Sequence, residues 1–257
     1  MQRQLIKRRQ LMGYAGAGLC TSLLANFPVN AQSTNSLSIK WLGHTCFLFT
    51  GNGTKVLTNP FRSIGCTAKY RAPNVPTDLV TISSQLLDEG YVKQLPGSPK
   101  LVSEPGIYKF EGMQFQGISI EHDRNGGRLF GQNTVWRWQQ AGINILHLGG
   151  AAAPISVEQK ILMGRPDLLL LPVGGNLKAY NAQEAKAAIN VLNPKIVIPN
   201  DYRTLAAHDQ KCDIFPLDQI LNLMQGVSIR RSNSDTITIN SQNLPKEQII
   251  QVLSYRF

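Results

Sequence analysis

Two stretches of this chain are apolar at consecutive positions, not at every second or every third to fourth position. Leu168 to Leu171, framed by Asp167 and Pro172, and Ile196 to Ile198, framed by Lys195 and Pro199, leave no polar side for water. Short runs of this kind read as strands covered on both faces. Between them, Asn181 to Leu192 reads as a helix, with Asn181 as N-cap and alanines gathered on one side. A strand covered on both faces needs a layer above and a layer below it, which calls for a stacked architecture.

The remaining sequence is punctuated mainly for β-structure. Leu37 to Phe49 alternates, Thr50-Gly51-Asn52-Gly53 supplies a turn, and Lys55 to Thr58 returns as a second strand that Asn59-Pro60 stops. Residues 62–77 carry the Gly and Pro punctuation of a loop. Asp78 to Ser83 is a short apolar strand leading into a predicted helix over Ser84 to Leu95. Strands are predicted at Lys100 to Val102, Gly106 to Phe110 and Met113 to Glu121, then a hairpin of Thr134 to Gln139 and Asn144 to Leu148. A helix over Pro216 to Met224 and strands over Val227 to Arg231 and Asp235 to Asn240 close the chain. Hairpins followed by strand–helix alternation predict one two-sheet sandwich with helices outside.

The N-terminus has a different texture. Arg3, Lys7, Arg8 and Arg9 stand without an acid, and Leu11 to Phe27 is weakly apolar and contains Gly13, Gly16 and Gly18. Pro28-Val29-Asn30-Ala31 offers small or aliphatic residues where a signal peptidase reads. Arg8-Arg9 before Gln10-Leu11-Met12 resembles a twin-arginine export signal. The expected organisation is therefore an export signal over 1–31 and a single domain over 32–257, placed in the periplasm or an equivalent extracytoplasmic compartment. The alternative is an uncleaved N-terminal anchor; after removal of the signal no stable membrane span is expected.

Charge narrows the partners. The chain has 26 Lys and Arg against 16 Asp and Glu, a net charge of +10. Without residues 1–31, 22 cations remain against 16 acids, a net +6. They are scattered, as Lys40, Lys55, Arg62, Lys69, Arg71, Lys93 and Lys100 illustrate, so no nucleic-acid face is expected. With 42% hydrophobic and 16% charged residues, extensive disorder is excluded. Cys46 sits in an apolar strand and reads as buried. If an exported chain forms one bridge, Cys66 with Cys212 is the expected pair, because both lie in loop-like contexts.

Several segments carry a family resemblance. Trp41-Leu42-Gly43-His44-Thr45-Cys46-Phe47-Leu48-Phe49 with Val56-Leu57-Thr58-Asn59-Pro60-Phe61 resembles the opening hairpin of the metallo-β-lactamase fold. The likeness continues through His122-Asp123, Gly131-Gln132-Asn133-Thr134, His147-Leu148-Gly149, Leu171-Pro172-Val173-Gly174-Gly175 and Pro194 to Pro199. The branch it resembles is that of the L-ascorbate-6-phosphate lactonase-like, predicted Zn-dependent hydrolases. The resemblance implies an α/β, four-layer αββα sandwich. It also implies one or two metal ions held by a His-x-His-x-Asp-His run, a mid-chain His, an Asp after His-Leu-Gly and a His after an Ile-Pro strand end. A metal there lowers the pKa of bound water and yields a hydroxide nucleophile.

Laid on that pattern, the chain departs from it. The run becomes Ser84, Leu86, Asp88 and Glu89; the later positions are His122, Gly150 and Asp201, and the early Asp-Pro is Asn59-Pro60. Asp88 and His122 keep the family residue, while Glu89 and Asp201 remain oxygen donors. Leu86 and Gly150 have no donor side chain. Two functions follow as expectations. One is an exported, non-catalytic binding protein for a small molecule or an unknown protein partner, with no cofactor. The other is a divergent hydrolase of an ester, lactone or phosphoester. It would use one divalent ion (Mn, Zn or Mg) on Asp88, Glu89, His122 and Asp201, with Asp88 as its catalytic candidate. His44, Arg124 and Arg128 are the candidate substrate contacts. His147 reads as a packing residue under the Gly149-Gly150 turn, and His208 as a surface residue.

Overall fold

A computed structural model of the chain describes residues 35–207 and 212–255. The expected export signal over 1–31 and His208 lie outside these residues. Glycine and asparagine turns organise the first sheet. β1 (Ser36–Gly43) pairs antiparallel with β2 (Cys46–Gly51), and β2 with β3 (Thr54–Thr58) across Asn52-Gly53. Both turn residues have positive φ, 53° and 75°, as a two-residue hairpin turn of this hand requires. β4 (Leu79–Thr81) and β5 (Lys100–Val102) then add in parallel beside β3.

The second sheet takes up the long antiparallel strands and the buried parallel ones. β6 (Gly106–Phe110), β7 (Met113–Glu121), β8 (Gln132–Gln140) and β9 (Ile143–His147) form a meander. β10 (Leu168–Pro172) and β11 (Ile196–Asn200) continue it in parallel, and all ten of their residues are buried. β12 (Ser228–Arg231), β13 (Thr236–Asn240) and β14 (Ile249–Val252) complete the set. The six-stranded sheet runs β13-β1-β2-β3-β4-β5, and the eight-stranded sheet runs β12-β14-β11-β10-β9-β8-β7-β6.

Among the described residues three α-helices join these strands: α1 (Val157–Met163), α2 (Ala182–Leu192) and α3 (Asp218–Leu223). Asn181 caps α2 by accepting from the amides of Gln183 and Glu184, and Glu184 closes the capping box. Trp41, Phe47, Phe49, Phe115, Trp136 and Trp138 meet between the sheets with the apolar residues of β10 and β11. A second cluster, including Cys46, Leu57, Phe61, Tyr70, Val80 and Ile214, lies on the other side of the six-stranded sheet. The architecture is the αββα sandwich expected from the sequence. Cys66 and Cys212 form a disulfide, and Cys46 is buried. Among the described residues no helix is long and apolar enough to cross a membrane.

Three local expectations need correction. The alternating run from Leu37 to Phe49 is two strands, broken where Gly43 and His44 take positive φ. No helix forms over Ser84 to Leu95. The segment makes two separate turns, one with the amides of Glu89 and Gly90 both donating to Leu86 O and one with the Leu95 amide donating to Val92 O. Ser84 spends its hydroxyl on the Glu89 carboxylate, so local side-chain bonding displaces the helical ladder there. Finally, α1 and β14 form where no regular element is predicted.

Candidate functional site

Strand ends bring the polar residues together. His44 sits on the β1–β2 turn, Ser84, Asp88 and Glu89 follow β4, and His122 follows β7. Gly149-Gly150 follows β9, Lys178 follows β10 and Asp201 follows β11. Open sheets of this kind place ligands at such carboxyl ends. Backbone strain helps to aim two of the side chains, for His44 and Asp201 have φ of 50° and 52°. Asn59 fixes the neighbouring loops, donating to Thr45 Oγ1 (3.3 Å) and accepting from the Ser83 amide (2.9 Å).

Two ionic groups result. In the first, His122 Nε2 lies 3.4 Å from Glu89 Oε2, and both residues are fully enclosed. Ser84 donates to that same Glu89 oxygen at 2.9 Å. Among the described residues the Glu89 carboxylate is the one charged group paired with the His122 ring. In the second, His44 Nδ1 is 2.7 Å from Asp201 Oδ1, and His44 Nε2 is 4.0 Å from Asp88 Oδ2. Lys178 Nζ contacts Asp88 Oδ2 closely, and its ammonium is 5.7 Å from the centre of the Phe130 ring.

Charges govern how these groups ionise. Burial pushes the Glu89 carboxyl up, but the charges of His122, Lys178 and His44 outweigh it and hold it below the usual carboxylate range. Burial likewise lowers His44, while Asp201 and Asp88 raise it further than burial takes it down. Lys178 follows the same balance: burial opposes its charge, and Glu89, Asp88 and Asp201 hold its pKa above the ordinary value. At His147 burial outweighs the Thr45 carbonyl and the Glu89 charge and takes the pKa down to about 4. Its Nε2 meets Thr45 O at 2.8 Å and its Nδ1 accepts the Gly149 amide, which is a packing role.

The family's metal centre does not fit this arrangement. A Cβ added to Gly150 would collide with Glu89 Oε1 and come within 2.6 Å of His122 Nε2. The Glu89 side chain therefore occupies the room a carboxylate at position 150 would need. An ammonium sits against Asp88, and a cationic side chain on a would-be ligand repels a second cation. Among the described residues no three His, Cys, Asp or Glu side chains are arranged to hold a metal ion. Of the four expected ligands, Glu89 and His122 form one pair, while Asp88 and Asp201 belong to the other group. Covalent catalysis by Ser84 is no better served, because Glu89, not a histidine, accepts its proton.

The candidate substrate contacts divide similarly. His44 belongs to the site. Arg124 is committed elsewhere: it pairs with Glu184 and donates to Asn176 O and Ala179 O, clamping its loop to the start of α2. Arg128 is exposed. Asp123, next to His122, accepts the amides of Asn125, Leu129 and Phe130 and shapes the loop. Lys178 was not among the sequence candidates. Its one signal is position, on the glycine-rich turn that leaves a fully buried strand.

Comparison with known proteins agrees with this fold. The sequence pattern of the beta-lactamase superfamily domain matches residues 38–201. A UPF0173 metal-dependent hydrolase of Thermoplasma acidophilum is 24% identical over 191 residues, which cover 66% of this chain and 84% of the relative. Another, from Carboxydothermus hydrogenoformans, is 27% identical over 199 residues, covering 65% and 85%. Among solved structures, a candidate Zn-dependent hydrolase of the metallo-beta-lactamase superfamily from Thermotoga maritima superposes with a TM-score of 0.69 at 29% identity. That match covers 84% of this chain and 98% of the other.

Proposed function

Because the chain belongs to the beta-lactamase superfamily, we propose that it is an exported, non-catalytic binding protein that keeps the hydrolase fold without its metal chemistry. The observation that carries this reading is the Glu89 side chain, which fills the space above Gly150 and stands 3.4 Å from His122. The ligand is a small molecule or a protein taken at this end of the sandwich, where His44, Asp88 and Lys178 stand. Export is supported by the N-terminal twin-arginine pattern and by the Cys66–Cys212 bridge, which suits an oxidising compartment. Mass spectrometry of the secreted chain should find an N-terminus at Gln32.

The names of the curated relatives favour a competing reading, a hydrolase with one divalent ion on Asp88, Glu89, His122 and Asp201. Thermal unfolding separates the two. An ion that binds the native state must raise its midpoint. The binding-protein reading predicts the same midpoint in chelator and in Mn, Zn or Mg. A cation-dependent rise that His122→Ala abolishes would establish the hydrolase instead.

A further inference from the structure

Three carboxylates, Asp88, Glu89 and Asp201, gather at one end of the sandwich, and ion-free carboxylates at such density repel one another. We propose that the Lys178 ammonium performs the electrostatic task of the family's metal ion, so that this end of the fold is held together by an internal cation. The inference rests on the metal-free reading above and extends it to a named residue.

The geometry places Lys178 for that task. Its Nζ touches Asp88, and its side chain is 15% exposed, so the ammonium is largely removed from water. Its charge acts on Glu89 and Asp201 as well as Asp88. No other Lys or Arg makes an ion pair with any of these three carboxylates among the described residues. His44 stands between Asp88 and Asp201, and His122 faces Glu89, so each of the three carboxylates also has an imidazole beside it.

A lysine in this role has a direct consequence. Removing its charge leaves buried carboxylates uncompensated, and a divalent cation then becomes the species that relieves them. The test compares wild type with Lys178→Met, Lys178→Gln and Lys178→Met/Asp88→Asn by thermal unfolding, each in chelator and in MnCl2 or ZnCl2. Lys178→Met should unfold several degrees earlier in chelator and regain stability with the cation. At about a hundred times its Kd the cation raises the folding constant about a hundredfold. Asp88→Asn added to Lys178→Met should restore stability without metal. Lys178→Gln keeps most of the stem and gives the same reading should the Met variant not fold.

A cation-dependent rise in either lysine variant beyond that of wild type supports the internal-cation role. Equal midpoints for wild type and both single variants, or no cation response in either variant, overturn it. The wild-type arm alone reports on the metal-free reading. A wild-type midpoint that rises with cation defeats that reading, whereas the difference between variant and wild type reports on Lys178.

Discussion

Trp136 on β8 and His122 just past β7 are both completely enclosed, and they meet their surroundings in opposite ways. Trp136 donates its indole N–H to Ile82 O at 2.9 Å and otherwise packs between the sheets among apolar side chains. His122 is held by a carboxylate, with its Nε2 3.4 Å from Glu89 Oε2. Between the sheets stability comes from filled volume, and each lost side chain leaves a hole. At the polar end it comes from balanced charge, so losing one partner of a pair costs more than losing both. The first region constrains size; the second constrains sign.

Substitutions can break this contrast at either region. Trp136→Ala should cost the most, about 3–5 kcal/mol by denaturant unfolding, because the hole lies at the centre of the sandwich. A loss below about 1 kcal/mol would mean that the inter-sheet packing is looser than described.

Acid comes next. His147 has a folded pKa of about 4, below the ordinary 6.5, so the folded chain binds fewer protons than the unfolded one between these values. The stability it supports is present above pH 6.5 and declines as pH falls toward 4, by about 1.4 kcal/mol per unit. Stability curves at pH 7 and pH 5 should differ in wild type and differ less in His147→Gln; equal differences in the two proteins would assign the acid sensitivity elsewhere.

Gly150→Ala should cost about 1–3 kcal/mol, since the new methyl must displace Glu89 or His122. An alanine accepted without loss would show that Glu89 does not fill that space. The smallest effect is expected at the rim, where Arg124→Ala removes a half-exposed ion pair and should cost about 1 kcal/mol or less.

The two regions also differ in how far the sequence discloses them. β10 and β11 are legible as unbroken apolar runs, and α2 as a capped helix, because burial and capping are written in neighbouring residues. α1 escapes notice because Val157, Ile161 and Leu162 face solvent and only Met163 is buried, so no amphipathic stripe marks it. β14 is four residues long and gains its place only by inserting between β11 and β12. At the polar end, the residues that the family resemblance singles out, His44, Asp88, Glu89, His122 and Asp201, all lie where strands terminate. The resemblance misses Lys178, since a family pattern made of ligands has no position for a cation, and the 90 residues separating it from Asp88 carry no periodic signal. Ser84 to Leu95 is illegible for a related reason: the choice between a helical turn and a Ser84–Glu89 bond is made by tertiary burial.

Metal stoichiometry of the purified, untagged chain, measured after refolding in the presence of Mn and Zn and extensive dialysis, tests the internal charge balance most directly. A chain whose carboxylates are balanced by the Lys178 ammonium should retain far less than one ion per molecule. One tightly held ion per molecule, lost in Glu89→Gln and His122→Ala, would contradict it.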